Sequence, residues 1–288
     1  MVLYKDNWPN ILSGLSKKEI SMNDKRRQLV VALAIYLIFT LLILVANVLN
    51  YIGERDGTLK TMEPIAGMLM GLLAFPVFCI GLPLWLARRW GLEFAFWPRR
   101  KNWLLGVVIV ALYVYLVQAE PLSQVVAMNI SALDFLIHFC SSALFHISYY
   151  PLFAVLLLPV IRRNLGLGAG LVATAALFAL YHLAQFYYFP AGLTLRLQVL
   201  LFVLFLANLL WYLWTENLIL VALAHCVIGS VGLAANGTLF NQVDEMLIVT
   251  AILMAGLFAY MIVYEVRQRG RPYRAEWWLR TEIGERVP

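Results

Sequence analysis

The sequence predicts an all-α, polytopic membrane protein with eight transmembrane helices, and three observations carry that prediction. Long apolar runs such as Leu29 to Tyr51 and Met246 to Val263 contain no Asp, Glu, Lys, Arg or His. A run of about 20 such residues is long enough to cross the hydrocarbon core as a helix. The composition is 62% hydrophobic and 13% charged with mean hydropathy +0.80, whereas soluble domains carry roughly 25% charged residues. The basic residues, finally, collect at the ends of the apolar runs rather than along them.

Apolar runs separated by turn signals give the elements in order. They are Leu29 to Tyr51, Pro64 to Ala87, Trp103 to Ala119, Ser131 to Ile161, Ala169 to Phe189, Leu193 to Trp214, Leu218 to Ala235 and Met246 to Tyr264. The fourth exceeds what a bilayer needs, so the sequence predicts a tilt, a kink near Pro151 or a start outside the membrane. The organisation is a basic arm over residues 1–28, an eight-helix membrane domain over 29–264 and a basic tail over 265–288.

Orientation follows from charge. Nineteen Lys and Arg residues fall in the arm, around Arg88 and Arg99, at Arg162 and Arg163, and in the tail; only Arg55, Lys60 and Arg196 fall on the other side. That asymmetry places both termini in the cytoplasm, in a membrane of the bacterial inner-membrane type. The net charge of +6 is therefore a topology signal, and nucleic acid is excluded as a partner. The first apolar run lacks a signal-peptide cleavage pattern and is long enough to span. Cys79, Cys140 and Cys226 all lie in predicted spans without CxxC spacing, which fits small packing residues better than disulfides or a thiolate metal site. Trp85, Trp90, Trp97, Trp103, Trp211 and Trp214 sit near span ends, as interfacial belts do. Gly67 and Gly71 form a GxxxG element suited to a close helix contact.

Titratable groups inside a span are costly and mark functional sites. All four histidines, His138, His146, His182 and His225, lie inside spans. Asp134 and His138 are one helical turn apart and can meet, either as a proton relay or as a surface-seeking carboxylate with one partner. Counted from the cytoplasmic end, His146 and His182 each lie 16 residues in, roughly 24 Å at ~1.5 Å per residue. His225 is only 9 residues from Glu216, roughly 14 Å, so it needs a recessed turn to join them. Tyr149, Tyr150 and Gln185 complete the polar set. Three imidazoles on three helices match the ligand count of a catalytic zinc site; interhelical hydrogen bonding is the other reading.

Phe178-Ala-Leu-Tyr-His182 and the stretch from Trp211 through Thr215-Glu216-Asn217 to His225 carry a resemblance. So does the basic turn Leu158 to Gly166. Over about residues 149–232 the chain resembles the CPBP family, which includes the CAAX prenyl endopeptidases and bacteriocin-processing proteins. The resemblance implies an eight-helix intramembrane-protease bundle with its core at about residues 131–240. It implies three motifs: Glu-Glu-x-x-x-Arg, Phe-x-x-x-His and His-x-x-x-Asn. The second is present in full. In the first, Tyr149 and Tyr150 stand at the glutamate positions and Ala154 at the arginine; in the third, Gly229 stands at the asparagine.

Peptide hydrolysis needs a base for water and donors for the oxyanion, and a tyrosine with pKa ~10 is a poor base near neutral pH. The resemblance therefore implies a pseudoenzyme that binds another transmembrane protein. The alternative is an active metalloendopeptidase with catalytic and zinc-binding His146, His182 and His225 and a peptide substrate. A third reading, transport or proton relay through Asp134, His138 and His146, fits less well because the spans lack paired charges.

Overall fold

The computed structural model describes residues 21–92, 146–186 and 191–215 and, beyond them, isolated positions that include 218, 221, 222 and 225. Among the described residues every element is helical. Helix α1 is Met22–Arg55. A second rod comprises α2 (Leu59–Met68), a π-helical segment Leu69–Gly81 and α3 (Leu82–Arg89). The chain is described again from His146, through a π-helical segment Pro151–Leu157, into α4 (Leu158–Leu165). Helix α5 (Leu167–Phe186) and helix α6 (Ala191–Thr215) follow.

Among the described residues, four helical stretches are long and apolar enough to cross a membrane: Met22–Arg55, Lys60–Arg89, Leu167–Ala184 and Leu195–Leu213. They coincide with the first, second, fifth and sixth predicted spans, so the chain has the make-up of an integral membrane protein. Apart from isolated positions, the third and eighth predicted spans, the first part of the fourth, most of the seventh, residues 1–20 and the basic tail lie outside the described residues.

Helix α1 begins two turns earlier than its apolar run. The Ser21 side chain accepts from the Asp24 amide at 3.1 Å, an N-cap that satisfies one of the orphan donors of the first turn. Ala32, Ile35, Tyr36, Phe39, Ile43 and Ala46 are buried along one face, the i, i+3, i+4, i+7 stripe of a packed helix. Its other face, with Leu37, Ile38, Leu41 and Val45, is exposed yet equally apolar. Such a helix is hydrophobic all round, the mark of a membrane span.

Two polar side chains fasten α1 to α5 through backbone carbonyls. Tyr36 donates to Leu177 O at 2.9 Å and Asn47 to Ala184 O at 3.0 Å. The numbers rise together along both helices, so α1 and α5 run in the same direction. Helix α5 then packs along α6. The exposed Arg55–Asp56 pair, at 2.8 Å, closes α1 at its far end; the guanidinium holds the Asp56 carboxyl below its ordinary range, although an exposed pair of this kind stabilises little.

Both π-helical segments contain a proline, Pro76 in one and Pro151 at the start of the other. Proline has no amide to donate and its ring crowds the preceding turn; widening the turn relieves this without breaking the rod. Each segment ends on an i→i−5 bond, Leu82 N–H to Val77 O and Leu158 N–H to Phe153 O. The irregularity expected near Pro151 is thus a widened turn in a continuous helix. The two π segments pack against each other.

Among the described residues, close backbone approach occurs away from the GxxxG element. Around Gly67 and Gly71 nothing described lies within 4 Å of an added β-carbon. Gly170, by contrast, lets α5 approach α4: a β-carbon there would sit 3.1 Å from Arg162 N, Cα and Cβ. Gly166 makes the turn between these helices with φ 87°, ψ 169°, a region open almost solely to glycine. Gly166→Ala is expected to destabilise by about 1–2 kcal/mol, read as a lower midpoint in thermal denaturation of the detergent-solubilised protein.

Candidate functional site

The spacing Phe178-x-x-x-His182 places both side chains on one face of α5. Their rings lie 4.5 Å apart between centroids. His182 Nδ1 is 2.8 Å from Phe178 O, and a carbonyl only accepts, so Nδ1 carries a proton. In the neutral ring this leaves Nε2 as the acceptor. One turn of backbone thereby sets both the orientation and the tautomer of the imidazole.

His146, Tyr149 and Tyr150 follow the same i, i+3, i+4 rule on the helix leading into Pro151. All three are buried, the two tyrosines at 1% exposure. The Tyr149 ring is the hub. His146, His182 and His225 lie 6.4, 6.1 and 6.4 Å from it, centroid to centroid. His146 and His225 meet edge to face at 4.9 Å, so His225 shares the level of the other two imidazoles despite its shorter count from the turn at Glu216. His146, His182 and His225, with Tyr149 and Tyr150, are therefore brought together; Asp134, His138 and the side chain of Gln185 lie outside the described residues.

Hydroxyls knit the cluster. Tyr181 donates to the Tyr149 hydroxyl at 2.7 Å. The Tyr150 hydroxyl is 3.2 Å from His225 Nδ1 and 3.4 Å from Val221 O. It has one proton to give. Either it donates to Nδ1, or it donates to the carbonyl while a protonated Nδ1 donates to its oxygen. Both arrangements leave a buried imidazole satisfied by a hydroxyl, where an unsatisfied one would cost about 1–3 kcal/mol.

Aromatic rings close the space around these groups. Phe178 and Phe205 stack at 3.8 Å with a 5° interplanar angle, joining α5 to α6. Phe153 stands edge-on to both at 5.2 and 5.6 Å. Phe75, on the first π-helical segment, approaches Tyr149 at 5.8 Å. Among the described residues, none of those building this cluster is acidic. Phe75, Phe153 and Phe205 are the members that sequence reasoning missed, since an aromatic in an apolar run carries no mark of which way it faces. Tyr181 did carry one, a hydroxyl in mid-span.

Among the described residues no three His, Cys, Asp or Glu side chains are grouped to hold a metal. The imidazoles surround the Tyr149 ring, and His182 and His225 each engage Nδ1 with a protein partner, the kind of contact that also orients metal-ligating imidazoles. The expected ligand set His146, His182 and His225 thus forms a hydrogen-bonded and edge-to-face array. Cys79, the described cysteine, is a free thiol buried in the core.

Thr174 lies one turn from Phe178 and is fully buried, yet among the described residues its hydroxyl has no hydrogen-bond partner. Thr174→Val keeps the shape and removes that group. It is expected to stabilise by about 1 kcal/mol, seen as a raised denaturation midpoint; a lowered one would mean the hydroxyl is bonded in solution.

No family model, curated protein or solved structure matches the chain.

Proposed function

We propose that this chain is a non-hydrolytic member of the CPBP-like class, an eight-helix bundle that acts by binding another transmembrane protein. In this reading it resides in a bacterial inner membrane with both termini in the cytoplasm. The observation that carries it is the Tyr150 hydroxyl 3.2 Å from His225 Nδ1. The resemblance calls for glutamates at Tyr149 and Tyr150, and a carboxylate there would take a proton from water. A tyrosine hydroxyl, with an ordinary pKa of ~10, does not serve as that base near neutral pH. Near-complete burial of both tyrosines further favours a packed binding scaffold over a water-fed active site.

Affinity purification from detergent-solubilised membranes tests this directly. A transmembrane protein is expected to co-purify stoichiometrically, with no cleavage of a prenylated CAAX peptide by the purified chain. Monomeric protein that cleaves the peptide, and loses that activity on His182→Ala, would overturn it.

The convergence of His146, His182 and His225 on one ring supports a second reading, the rearranged endopeptidase. Elemental analysis separates the two. Sub-stoichiometric zinc is expected; one equivalent in the wild type, lost in the His182→Ala/His225→Ala double variant, would establish the second reading.

A further inference from the structure

Three chain segments far apart in sequence meet at one end of the bundle. Asn164, at the end of α4, donates to Lys25 O in the first turns of α1 at 3.3 Å. Its neighbour Arg163 donates to Trp90 O at 3.4 Å and Gly91 O at 3.1 Å, just beyond α3. Adjacent side chains thus hold the start of α1 and the end of α3 on either side of the α4 terminus. Arg163 also satisfies carbonyls that a helix end leaves without intrahelical donors.

The consequence is electrostatic. Arg26, Arg27, Arg88 and Arg89 are all exposed at this end, beside Lys25 and Arg163. Asp24 is the one carboxylate there among the described residues, and it accepts from the Ser21 hydroxyl at 2.7 Å. The opposite end is mixed in sign, with Glu54, Asp56 and Glu63 against Arg55, Lys60 and Arg196. At the basic end Trp85 is half exposed, and the Arg89 guanidinium lies 5.1 Å over its ring. Tryptophan settles at headgroup level. A guanidinium resting on its face keeps its donor edges free for the paired hydrogen bonds that suit a phosphate.

We propose that this end of the bundle is a binding surface for anionic phospholipid headgroups, with Arg26, Arg27, Arg88 and Arg89 as the phosphate-contacting cations. The surface does not depend on the imidazole cluster or on its function. Arg163 and Asn164 act as positioning residues that hold the two arginine pairs at one level.

The test uses the full chain in detergent, titrated with short-chain phosphatidylglycerol or phosphatidylcholine and read by native mass spectrometry. Phosphatidylglycerol is expected to bind more tightly. Each of Arg88→Gln and Arg89→Gln is expected to weaken it about fivefold, the equivalent of about 1 kcal/mol per basic residue near an anionic surface. Arg55→Gln and Lys60→Gln, at the other end, are expected to leave it unchanged, and circular dichroism should show every variant folded. Equal binding of the two lipids, or equal weakening by the far-end variants, would overturn the proposal. Displacement by inorganic phosphate at matched concentration would do so too, assigning the cations to the free anion.

Discussion

Phe178→Ala is expected to lower stability by about 3 kcal/mol, the largest effect of any single truncation in the bundle. The ring is fully buried. It stacks on Phe205 at 3.8 Å and touches the Phe153 ring and the imidazoles of His182 and His225 at 5.2, 4.5 and 5.7 Å. Lipid tails are as apolar as a protein core, so the transfer component of a truncation is small here. What remains is lost dispersion contact and the cavity left behind, which puts the effect at the lower end of the range for buried aromatics. Leu180→Ala, two residues away on a face that is 52% exposed, is expected to change little. Equilibrium unfolding in mixed micelles measures both. A Phe178→Ala midpoint matching that of Leu180→Ala would mean the α5–α6 stack does not hold the bundle together.

Gly170→Val is expected to destabilise by about 1–3 kcal/mol through overpacking. The obstructing atoms are backbone N and Cα of Arg162, with its Cβ, all at 3.1 Å from a β-carbon at that position. These cannot rotate aside, so α4 and α5 must separate. Separation would also pull on Arg163 and Asn164, whose side chains join α4 to the end of α3 and the start of α1. Gly71→Val, with nothing described within 4 Å, is the control. Equal midpoints for the two variants would show that the helices part without cost.

The order and placement of the long helices were legible because they rest on a one-dimensional property. A segment enters a bilayer when its summed transfer free energy is favourable, and charge-free runs such as Leu29 to Tyr51 announce this directly. The ends were less legible. Helix α1 extends to Met22 because Ser21 caps it, and the charged first turns read as part of a basic, membrane-flanking arm. Similarly, proline near position 151 signalled irregularity, but whether the rod breaks or widens depends on what packs around it.

The candidate site divides in the same way. His146, His182 and His225 stood out because an imidazole within a span demands a partner. The identity of the partners could not be read. Tyr150 meets His225 across 75 positions of sequence, and Tyr181 meets Tyr149 across 32.

By itself the sequence determined that this chain has the make-up of a membrane protein, which of the described stretches are long apolar helices, and which polar residues require satisfaction, since each follows from local hydropathy, charge and periodicity. Only the tertiary structure decided which face of each uniformly apolar helix turns inward, that three imidazoles gather about Tyr149, and that Arg163 and Asn164 bind three helix ends together. A span surrounded by lipid has no polar side to betray its orientation; that choice is made by ring stacking, glycine contacts and hydrogen bonds between helices.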